Sequence, residues 1–189
     1  PREPVNGLTH AVGALLAVAG AVLLIRSRLA HGPVHAWALG IFGVSLVLLY
    51  AASAMYHSLR CPPHLLARLR RLDHMAIYVL IAGTYTPVAL LVIGGRLGVG
   101  IAVAAWLVAA IGIVQKAFWI EASDWFSAGC YLAMGWAGVL LARPLLASAP
   151  LWFAGLLAPG GLVYTGGAGQ EAAARWLELN ARFAETERE

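Results

Sequence analysis

Apolar residues occupy this chain in long blocks, and polar residues gather in short clusters at the ends of those blocks. A helix needs about 20 apolar residues, within a range of about 17–25, to cross the hydrocarbon core of a bilayer. Segments 5–25, 34–57, 75–94, 97–118, 125–141 and 145–164 meet that requirement. The breaks between them carry recognisable punctuation. Residues 26–33 end in proline, Cys61-Pro62-Pro63 precedes Arg68, Arg70 and Arg71, and Gly94-Gly95-Arg96 reads as a tight turn. Lys116 and Asp124 bound the next break, and Arg143-Pro144 makes the last. Pro150 and Pro159 restrict the ends of the sixth segment. In hydrocarbon every backbone amide must find its partner within the fold, and these blocks are too long for barrel strands. The pattern predicts an all-α integral membrane protein, a bundle of six transmembrane helices over residues 1–165.

From residue 166 the pattern changes. A Gly-rich linker leads into a segment with Glu171/Arg175 and Glu178/Arg182 at i, i+4 spacing. Ala172, Trp176, Leu179 and Phe183 make only a narrow apolar stripe. Residues 166–189 are therefore predicted as a linker and a charged, weakly amphipathic helical tail that cannot span.

Composition strengthens the membrane reading. The chain is 61% hydrophobic and 12% charged, with a mean hydropathy of +0.77, where soluble domains carry about a quarter charged residues. The net charge of +4 comes mainly from arginines flanking apolar segments, a placement that reads as topology and not as a nucleic-acid surface. With a cytoplasmic N-terminus, Arg2, Arg60, Arg68, Arg70, Arg71 and Lys116 lie inside, against Arg26, Arg28, Arg96 and Arg143 outside. This bias predicts an integral protein of the cell (inner or plasma) membrane with its N-terminus in the cytoplasm and membrane lipids as its neighbours. Cys61 and Cys130 fit no metal spacing and no disulfide framework. No cleavable signal peptide is evident, since the first apolar run is long enough to span.

Alternating helix direction then brings three polar clusters to one side of the membrane. Glu3, Asn6 and His10, at i, i+3, i+7, share a face at the start of the first helix. Ser53 and His57, at i, i+4, share a face at the end of the second, and Asp73-His74 opens the third. Gln115, Lys116 and Tyr164 reach the same side. Ionisable groups at membrane depth are costly and usually mark a site. A histidine and a carboxylate converging in a dry setting suit zinc, with the imidazole as ligand and the carboxylate binding the metal or orienting its water. The plainer alternatives are that His57 only hydrogen-bonds a neighbouring helix and that Asp73 only caps a helix N-terminus. His31, His35 and His64 read as solvated flanks. Thr84-Tyr85-Thr86-Pro87 reads as a kink with back-bonded hydroxyls, and Ala104, Ala109 and Gly112 as sites of close helix packing.

These same residues resemble the hemolysin III group of the progestin and adipoQ receptor family. Glu3-Pro-Val-Asn6-Gly-Leu-Thr-His10 is similar to the family's opening motif, and Ser53-Ala-Met-Tyr-His57 to its Ser-x3-His. Leu72-Asp73-His74-Met-Ala-Ile-Tyr78, continuing to Pro87, is the most specific stretch, and Gly160-Gly161-Leu-Val-Tyr164-Thr165 resembles the segment before the family's seventh helix. The resemblance implies a zinc-dependent membrane hydrolase of lipid amides. His57 would be a zinc ligand, Asp73 would hold or orient the metal-bound water, Ser53 would line the site, and Glu3, Asn6 and His10 would support the chamber. The family's two further ligands, a His-x3-His on the seventh helix, have no counterpart here, because every histidine lies at or before His74. The metal site is incomplete on this reading. The alternative function is a non-catalytic, receptor-like or membrane-homeostasis protein. A cytolysin ranks below both, since nothing in six near-continuously apolar helices provides a soluble form.

Overall fold

The computed structural model describes residues 2–118 and 124–140, and singly Ala147, Leu162 and Thr165. The chain divides into two compact units, Pro1–Ile120 and Glu121–Glu189. The elements formed by the described residues are all helical, with no strand among them.

The first unit holds α1 (Pro4–Arg28), a short 3-10 turn (Leu29–His31), α2 (Pro33–Ser58), α3 (Pro63–Pro87), a π-helical extension (Val88–Ile93) and α4 (Gly95–Phe118). Proline occupies the first turn of α1, α2 and α3, where its missing N–H would be unpartnered anyway. Among the described residues, four helices are long and apolar enough to cross a membrane: α1 with its 3-10 turn, α2, α3 with its π extension, and α4. Their outer faces carry exposed leucine, valine and isoleucine, as lipid contact requires.

The helices run antiparallel to their neighbours, and small residues set the register. Gly7 of α1 lies against Ser58 of α2, and Gly43 of α2 against Ala21 of α1. Gly83 of α3 sits on Ser45 of α2, and Gly112 of α4 on the ring of Tyr78 in α3. In each case even a Cβ would collide, so the backbones approach as closely as Gly permits. The buried stripe of α4 is Gly98, Ala102, Ala105, Ala109, Gly112 and Lys116, a repeat close to the 3.6-residue turn. Ala109 and Gly112 pack as the sequence predicts. Ala104 does not; it falls off that stripe and is exposed.

Thr84 and Thr86 donate hydroxyl hydrogen bonds to the carbonyls of Leu80 and Ala82, at 2.8 and 2.9 Å, the expected back-bonding. The α-helix gives way to the π form immediately after Pro87. Ala89 then accepts the Gly94 N–H at 2.9 Å, and its carbonyl oxygen abuts Gly98 of α4. Trp106 Nε1 donates to Thr86 Oγ1 at 3.0 Å and joins α4 to α3.

The predicted third span needs correction. Residues 75–94 describe only part of a helix that starts at Pro63, so Arg68, Arg70 and Arg71 stand on helix and not in a loop. Arginine and leucine are good helix formers, and the hydropathy dip at 68–71 masks a continuous helix. Asp73 is therefore ten residues inside α3, whose N-cap is Pro62. The capping explanation for Asp73 does not hold.

In the second unit, α5 (Asp124–Leu140) has 17 residues, beside the predicted span 125–141, and Trp136 Nε1 donates to Thr165 Oγ1 at 3.0 Å. The predicted sixth helix, Tyr164 and the charged tail 166–189 lie outside the described residues, apart from Ala147, Leu162 and Thr165.

Candidate functional site: a polar chamber at the α1–α2–α3 end

The last turn of α2 leaves carbonyls that helix geometry cannot satisfy. The residues just before α1 meet them. Glu3 N–H donates to the His57 carbonyl at 2.9 Å, and Arg2 N–H to that of Ser58 at 3.3 Å. This backbone clamp brings the Glu3 side chain onto His57, and Glu3 Oε2 lies 2.7 Å from His57 Nδ1. Asn6 Nδ2 donates to the same oxygen at 3.1 Å, and Arg2 pairs with Oε1 at 2.9 Å. Glu3, at the mouth and outside the spanning helices, has its pKa held below the ordinary carboxyl value. The Asn6 hydrogen bond is the largest cause, followed by the His57 hydrogen bond, with burial opposing both.

Deeper in, His10 of α1 stacks on His57, with ring centroids 5.6 Å apart and planes 11° apart. Two residues missed by sequence reasoning complete the aromatic wall. Tyr50 lies 5.9 Å from His10, and Tyr56 meets His57 edge-on at 4.8 Å. The Arg2 guanidinium covers the Tyr56 ring at 4.4 Å from its centroid. Tyr50 stands seven positions before His57, on the same helical face, and that spacing was the available signal.

Across α2, Ser53 is 4% and Asp73 9% exposed. They are hydrogen-bonded, and Asp73 lies within electrostatic reach of His57 and His10. The structure thus brings all six sequence-predicted residues to one end: Glu3, Asn6 and His10 around His57, and Ser53 on Asp73. Lys116 of α4 is fully buried, and Gln115 is half-buried beside it. His31 and His64 are exposed, and His35 is half-buried with its ring 5.4 Å from His31. Neither Cys61 nor Cys130 is in a disulfide.

The match to known proteins runs over nearly the whole chain: residues 1–177 fit the model of the family described as Haemolysin-III related. The chain belongs to this family. It is similar to Hemolysin-3 of Bacillus cereus, at 37% identity over 168 residues, covering 88% of this chain and 76% of that protein. It is also similar to the Hemolysin-3 homolog of Bacillus subtilis (strain 168), at 40% identity over 171 residues, covering 88% of this chain and 78% of that protein. No solved structure matches. The match extends past Thr165, where the motif resemblance ends, into the segment predicted as tail.

For this haemolysin-III family chain the donor chemistry can be compared with a metal site. A ligating histidine usually gives its second ring nitrogen to a carboxylate, and a ligating or water-orienting carboxylate is itself hydrogen-bonded. His57 with Glu3 and Asp73 with Ser53 both have that form. Among the described residues, no three His, Cys, Asp or Glu side chains group closely enough to hold an ion. Two donors alone would need further ligands to hold a metal.

Proposed function

We propose that this haemolysin-III family membrane protein is a hydrolase of lipid amides, with its site in the chamber of His57, Asp73 and Ser53. The observation that supports it most is Asp73, buried inside a membrane helix, held by Ser53 and within electrostatic reach of two histidines. An ionisable group at that depth is expensive without a use. His57 would hold zinc, which supplies Lewis acidity and acidifies a bound water. Asp73 would accept a proton from an attacking water at its carboxylate, and Ser53 Oγ–H would fix the rotamer in which it does so. The apolar helices exclude bulk water and admit an acyl chain from the bilayer. On this reading the chamber opens toward the cytoplasm, on the side of the α3 arginines.

The test is elemental analysis of detergent-purified protein beside His57→Ala, with lipid-amide turnover measured in wild type and Asp73→Ala. One zinc per chain, lost in His57→Ala, with turnover lost in Asp73→Ala, supports the hydrolase. Turnover in Asp73→Ala equal to wild type sinks it.

The ligand count favours a second reading. Catalytic zinc normally keeps three protein ligands, and the described residues assemble fewer. A non-catalytic, receptor-like or membrane-homeostasis role would show no zinc above the His57→Ala background.

A further inference from the structure

We propose that Glu3 is a positioning residue that fixes the tautomer of His57, placing the proton on Nδ1 and leaving the Nε2 lone pair as the donor to the chamber. The inference rests on the reading of His57 as a metal-binding group, and it assigns the mouth of the chamber a specific task.

The geometry is over-determined in a way that simple surface pairing is not. Glu3 holds the last turn of α2 twice, through its own N–H to the His57 carbonyl at 2.9 Å and through Oε2 to Nδ1 at 2.7 Å. One bond sets where the carboxylate stands relative to the His57 backbone, and the other sets the ring against it. Asn6 Nδ2 on the same oxygen, at 3.1 Å, and Arg2 on the other, at 2.9 Å, fix the carboxylate plane. His10 stacked on one face and Tyr56 edge-on leave the imidazole little freedom to flip. An ionised carboxylate only accepts hydrogen bonds, so the shared proton belongs to Nδ1. The unconstrained imidazole of a free histidine prefers the opposite tautomer, with the proton on Nε2. Glu3 therefore selects the form that solution disfavours. Which ring nitrogen is free to ligate is set by the hydrogen bond the other makes. Sequence spacing shows Glu3 and Asn6 on one face, but nothing in it shows which atom of which residue they hold.

The experiment is nitrogen-15 NMR of ring-labelled histidine in the full chain in lipid nanodiscs at about pH 8, with the His57 signals assigned by their loss in His57→Gln. Wild type should show a protonated Nδ1 and an unprotonated Nε2. Glu3→Ala should move the majority of His57 to the Nε2–H form. A wild-type His57 protonated on Nε2 alone or on both nitrogens overturns the proposal, as does a Glu3→Ala spectrum identical to wild type. The wild-type spectrum decides even if Glu3→Ala does not fold. A parallel zinc titration against a competing chelator separates this from the hydrolase reading. Outer partners of a ligating histidine are worth about 10–100-fold in metal affinity, and Glu3→Ala should lose that much. If wild type takes up no zinc while the tautomer pattern holds, the hydrolase reading fails and the positioning role stands. If zinc affinity is unchanged in Glu3→Ala, Glu3 does not position the ligand.

Discussion

The two ends of the α1–α4 packing differ in the polar groups they bring together across helices. At the chamber end, side chains reach across the fold: Glu3 to His57, 54 residues apart, and Ser53 to Asp73. Toward the other end, Ser45 and Thr84 turn their hydroxyls back on their own helices, to Phe42 and Leu80, and the cross-helix bond from Trp106 to Thr86 is between uncharged groups. Back-bonding satisfies a hydroxyl locally and asks nothing of a neighbour. A cross-helix pair between ionisable groups fixes relative position and creates a site, but it brings charge to a place where charge is costly. The far end is built to hold helices together and the chamber end to hold particular atoms.

Substitution should separate the two. The largest effect is expected at Gly98→Leu, because the obstacle is the Ala89 backbone, which cannot rotate away. Overpacking of this kind costs about 3 kcal/mol, read as loss of folded protein in a mixed-micelle unfolding titration. A stability equal to wild type would mean that the π-helical segment yields and that the far end is not held by backbone approach. Next, Ser53→Ala should cost about 2 kcal/mol by leaving a buried carboxylate without its donor. The same titration should show the loss, and an effect below 0.5 would show that Asp73 has other support. Thr86→Val should cost about 1 kcal/mol, since Thr86 accepts from Trp106 as well as back-bonding. Thr84→Val, which only back-bonds at an exposed position, should stay within about 0.5 kcal/mol. Equal costs for the two threonines would erase the distinction between local and cross-helix bonding.

The smallest effect concerns Glu3, whose side chain is 40% exposed. Its folded pKa lies below the ordinary value of 4.5, so its contribution is complete above 4.5 and is lost as pH falls through the depressed pKa. Wild type should lose slightly more stability below pH 4.5 than Glu3→Gln, which has no carboxyl to titrate. Parallel pH curves for the two would show that the clamp rests on its backbone bonds alone.

Much of this was legible in the sequence. Block hydropathy gave α1, α2 and α4 to within about three residues at each end, because lipid exposure makes apolar length a direct constraint. The i, i+4 spacings of Asn6 with His10 and of Ser53 with His57 fall on shared helix faces, because helix periodicity is rigid, whereas Glu3 precedes α1 as its cap. The start of α3 was not legible, since Arg68, Arg70 and Arg71 lower hydropathy without lowering helix propensity. The misplaced start left Asp73 looking like a cap. Ala104 failed for another reason: small size marks a candidate for packing, but only its angular distance from Gly98, Ala105 and Gly112 decides. The burial of Lys116 and the Trp106–Thr86 bond depend on tertiary register, which no local pattern carries.

The clamp between Glu3 and His57 has a consequence for how this protein is made. α1 leaves the ribosome with Glu3, Asn6 and His10 uncovered, and their cover is the last turn of α2. At about 5–20 residues per second, the 54 positions from Glu3 to His57 take on the order of 3–10 s to emerge. Throughout that interval the newborn first helix carries a polar corner at the membrane surface with nothing yet to receive it. The chamber is thus a late event of biogenesis, completed only when α1 and α2 have closed on each other and α3 has brought Asp73 to Ser53.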